Sequence, residues 1–187
     1  MGEWGSISEG RIFKIWEQIN EFPDIDGFWY GLDFGYSNDP TAIVKVVKLR
    51  DRIYLDEIAY QTGLTNPEIA NLLVDSGYDG EVIICDSAEP KSIDELKISG
   101  INAIGADKGK GSILEGISFL KQCKVLVTAK SSNIIKENNF YQWKQDKSGN
   151  YINQPKDFMN HIIDAIRYAF SLNRERADKE DTLTLTY

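Results

Sequence analysis

The sequence is poor in the features that fasten, export or membrane-anchor a chain. Its 187 residues hold 1 histidine, 2 cysteines and 5 prolines, and no apolar run approaches the ~20 residues of a membrane span. The start, Met1-Gly2-Glu3-Trp4-Gly5-Ser6, lacks the basic head and apolar stretch of a secretory signal peptide. Cys85 and Cys123 both fall in apolar strand-like runs, which suits buried free thiols in a reducing compartment better than a disulfide or a zinc site. Basic charge is scarce as well: 21 Lys and Arg against 29 Asp and Glu give a net charge of −8 and a pI near 4.7, the opposite of a free-standing nucleic-acid binder. A phosphate-binding loop is also missing. Gly105-Ala106-Asp107-Lys108-Gly109-Lys110-Gly111-Ser112 has Gly111 between Lys110 and Ser112, whereas that loop needs Gly-Lys-Ser/Thr contiguous. It reads instead as a glycine-rich loop entering a helix, with amides and lysines available to phosphate.

What remains is an ordinary core-forming chain with an uneven charge. A hydrophobic content of 42% suits one well-cored domain at this length. Between Gly105 and Lys147 stand eight lysines and four acids, a local +4 that leaves −12 for the rest. That segment offers a modest basic face, although any one lysine is equally at home on a solvated surface.

Hydrophobic periodicity divides the chain into two halves. Phe28 to Phe34, Thr41 to Leu49 and Ile53 to Tyr60 read as strands, with Asp51-Arg52 as the tight second connection, so the first half predicts a three-stranded antiparallel meander. Asn66-Pro67-Glu68 then opens a helix. Beyond it short apolar strands at Val82 to Cys85, Ile101 to Ala106 and Lys124 to Val127 alternate with helices from Pro90 to Leu96, Ser112 to Lys121 and Ser131 to Tyr141, the pattern of parallel strands joined by helical crossovers. Lys144 to Tyr151 reads as a polar hairpin or loop, and Phe158 to Arg174 as the last helix. Gly10 to Trp16 is a candidate extra strand, and the charged, Thr-rich 174–187 a tail.

Three acidic segments carry the chemistry: Gly31-Leu32-Asp33-Phe34-Gly35, Val82-Ile83-Ile84-Cys85-Asp86-Ser87-Ala88-Glu89-Pro90 and Asn160-His161-Ile162-Ile163-Asp164-Ala165-Ile166-Arg167-Tyr168. Each sets an aspartate at the edge of an apolar element, where folding can gather oxygen ligands for hard divalent cations. That points to a metal-dependent nuclease.

These segments, with Asp39-Pro40-Thr41-Ala42 and Lys108-Gly109-Lys110-Gly111-Ser112-Ile113 in order between them, resemble the nuclease domain of the large terminase subunit of tailed bacteriophages, a member of the ribonuclease H-like superfamily. The resemblance runs from about Gly10 to about Leu172. It implies an α/β fold, a mixed sheet with an antiparallel three-strand meander plus parallel strands, flanked by helices. It implies an endonuclease that cuts concatemeric double-stranded viral DNA during packaging, in the bacterial cytoplasm, with no membrane. It implies as partners an ATPase domain, which this chain lacks, the small terminase subunit and the portal protein. Residues 1–26 would then be an extension from the ATPase side, 27–173 the nuclease domain and 174–187 a flexible end.

The implied site follows residue by residue. Phosphodiester hydrolysis with two Mg2+ or Mn2+ ions about 4 Å apart needs carboxylates between and beside them. Asp33 would bridge the ions, Asp86 would join it from the adjacent parallel strand, and Asp164 would complete the cluster from the last helix. His161 lies one helical turn before Asp164, with Asp157 another turn earlier, and would serve as water-orienting base, leaving-group acid or ligand. Asp39 is either an additional metal acid or a turn residue before Pro40. Glu89 is a helper of the site or a solvent-facing residue, and Arg167 pairs with a nearby acid or covers the helix flank. Lys91, Lys108 and Lys110 are the candidates for phosphate contact. Trp4, Trp16, Trp29 and Trp143 read as packing residues rather than base readers. The rival functions are a junction resolvase or transposase, a ribonuclease H that cuts hybrids, and a docking module without catalysis between motor and portal.

Overall fold

The computed structural model describes residues 10–172; Trp4 and the expected tail at 174–187 lie outside them. Among the described residues seven strands form one sheet, in the spatial order Glu17–Ile19, Lys124–Thr128, Arg52–Gln61, Thr41–Leu49, Trp29–Asp33, Ile83–Cys85, Ala103–Gly105. The meander is β2 (Trp29–Asp33), β3 (Thr41–Leu49) and β4 (Arg52–Gln61), antiparallel in sequence. On one side β5 (Ile83–Cys85) and β6 (Ala103–Gly105) add parallel to β2, and on the other β7 (Lys124–Thr128) and β1 (Glu17–Ile19) add parallel to β4. The sheet is therefore mixed, as the periodicity predicts.

Among the described residues five helices cover both faces. α1 (Asn66–Asp75) and α2 (Pro90–Ile98) pack over Tyr30, Leu32, Ile43, Ile83 and Cys85. α3 (Ser112–Gln122), α4 (Ser132–Phe140) and α5 (His161–Ala169) close the opposite core around Trp29, Val44, Val46, Leu55, Ile84 and Val127. Alternation along β2 makes both cores: Trp29, Gly31 and Asp33 point to α5, Tyr30 and Leu32 to α1 and α2. A hairpin of β8 (Trp143–Gln145) and β9 (Tyr151–Pro155) stands apart as a second small sheet. Among the described residues no helix is long and apolar enough to cross a membrane.

Several boundaries differ from the sequence reading. The early strand is Glu17–Ile19, not Gly10 to Trp16, where Arg11 forms only an isolated bridge to Gln142; Ile12 and Phe13 are core residues instead. The β3–β4 connection is Arg50-Asp51, one residue earlier, with Arg50 left-handed (φ 55°) as a two-residue hairpin requires. Cys123 caps α3 at intermediate exposure rather than lying in a strand, and no disulfide joins it to buried Cys85. The last helix begins at His161, not Phe158. Met159 is left-handed (φ 48°) and Asn160 is extended in φ (−129°), so the turn cannot start earlier. Phe158 is exposed and Asp157 is not a helical neighbour of His161.

Candidate active site

The site begins with strand register. Parallel β2 and β5 pair Leu32 with Cys85, so the next residue of each, Asp33 and Asp86, leaves the carboxyl end of a neighbouring strand, where parallel sheets open their crevices. The Asp86 amide still donates to the Leu32 carbonyl (3.1 Å), which fixes the second aspartate beside the first. Helix α5 then lies along β2 in step with it. Trp29 donates from its indole to the Ala169 carbonyl (2.7 Å), Gly31 meets Ala165, and Asp33 meets His161. Two strand residues advance about 6.6 Å and four helical residues about 6.0 Å, so three contacts in succession match, and the last sets an imidazole against a carboxylate.

His161 Nδ1 lies 3.2 Å from Asp33 Oδ2, the imidazole donating, and its Nε2 is 3.6 Å from Asp39 Oδ1. Burial pushes the Asp33 carboxyl up to about 6; the bond from His161 pulls it down, while the charges of Asp164 and Asp86 push it further up. His161 is held above its ordinary value by the bond to Asp33, with burial opposing. Asp164, in the first turn of α5, accepts at Oδ1 from Arg167 Nε (3.1 Å) and Nη2 (2.6 Å) and at Oδ2 from Asn160 Nδ2 (3.0 Å). Burial pushes its carboxyl upward against the pull of Arg167. Asp86 accepts at Oδ1 from the Ala88 amide (2.7 Å) and from Lys108 Nζ, and at Oδ2 from the Tyr168 hydroxyl (3.4 Å). Lys108 also lies over the Tyr168 ring, 4.7 Å from its centroid.

The remaining candidates are at the rim. Asp39 is mostly exposed and touches two clefts. One, of about 400 Å³, runs between Asn38, Pro40, Tyr60, Asn160 and His161; the other, of about 720 Å³, is lined by Thr65, Asn66, Glu89 and Lys91. Lys91, at the start of α2, and Glu89, its N-cap, therefore flank the site without entering it. Lys110 is exposed in the glycine-rich loop, whose Gly111 (φ 91°) is the N-cap of α3. Of the three lysines only Lys108 is brought onto a candidate carboxylate. Trp29, Trp16 and Trp143 are packing residues: Trp29 lies in the core, Trp16 packs on Phe13, and Trp143 lies under Lys121.

Among the described residues no three His, Cys, Asp or Glu side chains stand close enough to enclose a metal ion as they are. The pairings give the reason: Asp164 is turned to Arg167, Asp86 to Lys108 and Asp33 to His161. The donor chemistry nevertheless suits a hard divalent cation, with carboxylate oxygens, one imidazole and no thiolate. Asp33 is pushed up by the same two carboxylates that would share a cation with it, and a bound cation would relieve that repulsion.

A meander extended by parallel strands, with carboxylates at two strand ends and on the covering helix, is the ribonuclease H-like architecture. Residues 33–172 match the family model described as the terminase RNAseH like domain, and the chain belongs to that family. It is 36% identical over 176 residues to the large terminase subunit of Bacillus phage SPP1, covering 91% of this chain and 40% of that protein. It is 30% identical over 158 residues to the PBSX phage terminase large subunit of Bacillus subtilis (strain 168), covering 83% and 36%. The chain thus spans about two fifths of the length of these curated relatives. Among solved structures it is similar to the nuclease domain of the SPP1 large terminase, g2p, with bound Mn, at 34% identity and a TM-score of 0.77, covering 84% of this chain and 96% of that one.

Four residues around the site escape a reading by motif. Asn160 spends its side chain on Asp164, and Tyr168 stands one turn after Asp164 and reaches Asp86; helical spacing alone would have paired Tyr168 with the acid. Glu137 accepts from amides at the start of α5, and Tyr60 donates to Glu137. The only sequence signal for Glu137 is an acid on the apolar face of α4, between Ile134 and Asn138.

Proposed function

We propose that this chain is the nuclease part of a phage large terminase that hydrolyses concatemeric double-stranded DNA during packaging. A pair of Mg2+ or Mn2+ ions would be held by Asp33, Asp86 and Asp164, with Asp39 at the rim. The observation that carries the reading is the register that ends β2 and β5 in neighbouring aspartates beneath the first turn of α5. The Mn bound to the similar SPP1 nuclease domain supports the choice of metal. On this reading residues 27–173 form the nuclease unit, 1–26 lead in from the ATPase part and 174–187 extend beyond it. The ATPase part, small subunit and portal are its partners in the host cytoplasm.

Bound divalent ions would supply an activated water and charge stabilisation at the departing oxygen. The chain's own residues do the rest. His161, tied to Asp33 through Nδ1, keeps Nε2 toward the cleft that Asp39 lines, where a raised imidazole holds or accepts a proton. Lys108 and Arg167 balance the negative charge gathered at the site. Lys91, at the rim cleft, and Lys110, exposed in the glycine-rich loop, are the remaining candidates for phosphate contact.

The test is incubation of supercoiled plasmid with the chain in Mn2+, Mg2+, Ca2+ or EDTA, alongside Asp86→Asn. Cleavage in Mn2+ or Mg2+ that disappears in EDTA and in the variant is the expected result. A folded protein that cuts in no metal removes the reading for this chain. A strong preference for branched DNA or for RNA–DNA hybrids would transfer it to a resolvase or a ribonuclease H.

A further inference from the structure

Helix α5 carries His161 and Asp164 in its first turn, yet has no local cap. Its N-cap residue, Asn160, makes no side-chain bond to the helix backbone and instead bonds Asp164. The first amides of a helix need acceptors, and here these come from another element. Glu137, fully buried on α4, accepts at Oε2 from the amides of Ile162 (2.9 Å) and Ile163 (3.1 Å) and at Oε1 from the Tyr60 hydroxyl (2.7 Å).

The same device anchors α4. Glu57 on β4 accepts at Oε2 from the Asn133 and Ile134 amides (2.9 and 3.1 Å) and at Oε1 from Asn133 Nδ2 (2.6 Å). Glu57 and Tyr60 are three apart on one strand, so plain alternation would send them to opposite faces. A bulge resolves this: Ile43 pairs with Ala59 and Val44 with Glu57, leaving Ile58 as the extra residue. Strand β4 thereby holds α4 through Glu57 and orients Glu137 through Tyr60, and Glu137 holds α5.

We propose that Glu137 is a positioning residue of this site, fixing the first turn of α5 so that His161 meets Asp33 and Asp164 faces the two strand ends. Its kinetic readout rests on the nuclease reading; its spectroscopic readout does not. A Gln side chain can reproduce all three bonds, Oε1 accepting from both amides and Nε2 donating to the Tyr60 oxygen, whereas Ala makes none and Asp is one methylene too short.

The experiment uses the full chain as Glu137→Gln, Glu137→Asp, Glu137→Ala and Tyr60→Phe. Plasmid cleavage gives kcat and KM; nuclear magnetic resonance follows the Ile162 and Ile163 amides and the imidazole of His161, the one histidine in the sequence. Working well below each melting temperature separates positioning from stability. Expected for Glu137→Ala and Glu137→Asp is a roughly 10–100-fold fall in kcat, the range for groups that orient a site's ligands, with KM for DNA within about twofold and displaced His161 and amide resonances. Glu137→Gln should keep kcat within about threefold and restore the His161 resonance. Tyr60→Phe should lie between. Two results overturn the proposal: Glu137→Asp with unchanged kcat and an unmoved His161 signal, or Glu137→Gln as impaired as Glu137→Ala, which would make charge rather than geometry the cause. If Glu137→Ala does not fold, the Asp and Gln variants decide. If the parent chain cuts no DNA, the nuclease reading fails and the resonances alone judge the positioning.

Discussion

Gly31 on β2 lies directly beneath Ala165 on α5: a Cβ at Gly31 would sit 2.0 Å from the Ala165 carbonyl oxygen and 3.0 Å from the Ala169 Cβ. Only a glycine lets the helix come down far enough for His161 to meet Asp33 one step along the strand. Gly31→Ala should therefore lift α5, destabilising the fold by about 1–3 kcal/mol as overpacking does. Cleavage should fall on the order of 100-fold, because a shift near 1 Å misplaces reacting groups. Urea unfolding and plasmid cleavage check the two effects, and a variant as stable and active as the parent contradicts the packing argument.

Arg167 and Asp164 form a buried ion pair whose loss should be felt in stability. Their side chains are 7% and 17% exposed, and the Arg167 stem runs against Gly116, where a Cβ would lie 3.2 Å from Arg167 Cδ. Arg167→Met keeps the stem and leaves the carboxylate without its partner, at a cost of about 3–5 kcal/mol. Adding Asp164→Asn should recover part of that cost, since the stranded charge is then removed. Urea denaturation of the single and double variants reads both numbers.

Stability should fall as pH rises through the carboxylate range at Glu137. Burial pushes its carboxyl above 4.5, against bonds from Tyr60 and the Ile163 and Ile162 amides and the more distant charge of His161. The folded state then holds the proton more tightly than the unfolded one, so the contribution is fully present below the ordinary value and is lost as pH rises through the folded value. Glu137→Gln has no such proton. The unfolding free energy of the parent minus that of the variant should decline as pH rises through and above the ordinary carboxylate range, measured by urea titration at each pH. A flat or rising difference contradicts the assignment.

Lys108 pairs with Asp86, one of the carboxylates proposed to hold metal. Its side chain is 34% exposed and that of Asp86 18%, so the pair is weak, within about 1 kcal/mol. Lys108→Met should therefore bind Mn2+ about two- to fivefold more tightly, by calorimetry, while losing affinity for duplex DNA. Weaker Mn2+ binding in the variant would give Lys108 a supporting rather than a competing place at the site.

The sheet was legible because its two signals are local. Antiparallel strands joined by a two-residue turn at Arg50-Asp51, and short apolar strands such as Ile83–Cys85 punctuated by Pro90 and Gly111, are written in neighbouring residues. The start of α5 was not: Phe158 fits the helical period of Ile162 and Ile166, but the left-handed turn at Met159 overrides it. The acids at the strand ends could be placed from pattern, since each closes an apolar run. The pairing of Arg167 with an acid was within reach as well, since Asp164 lies three residues away on the same helix; Lys108 facing Asp86 and Glu137 beneath α5 were not, because they depend on packing between distant segments. Glu57 and Tyr60 sharing a face depends on a bulge that alternation does not announce.

The central claim is that Asp33, Asp86 and Asp164 make one metal site, and the most direct measurement is anomalous diffraction from crystals of the chain soaked in Mn2+. Anomalous density is expected between the ends of β2 and β5 and the first turn of α5, within the ~2.0–2.4 Å that oxygen ligands keep from such ions, with Arg167 or Lys108 turned away. Ordered crystals with no peak there, or with Mn2+ bound only elsewhere, would contradict it.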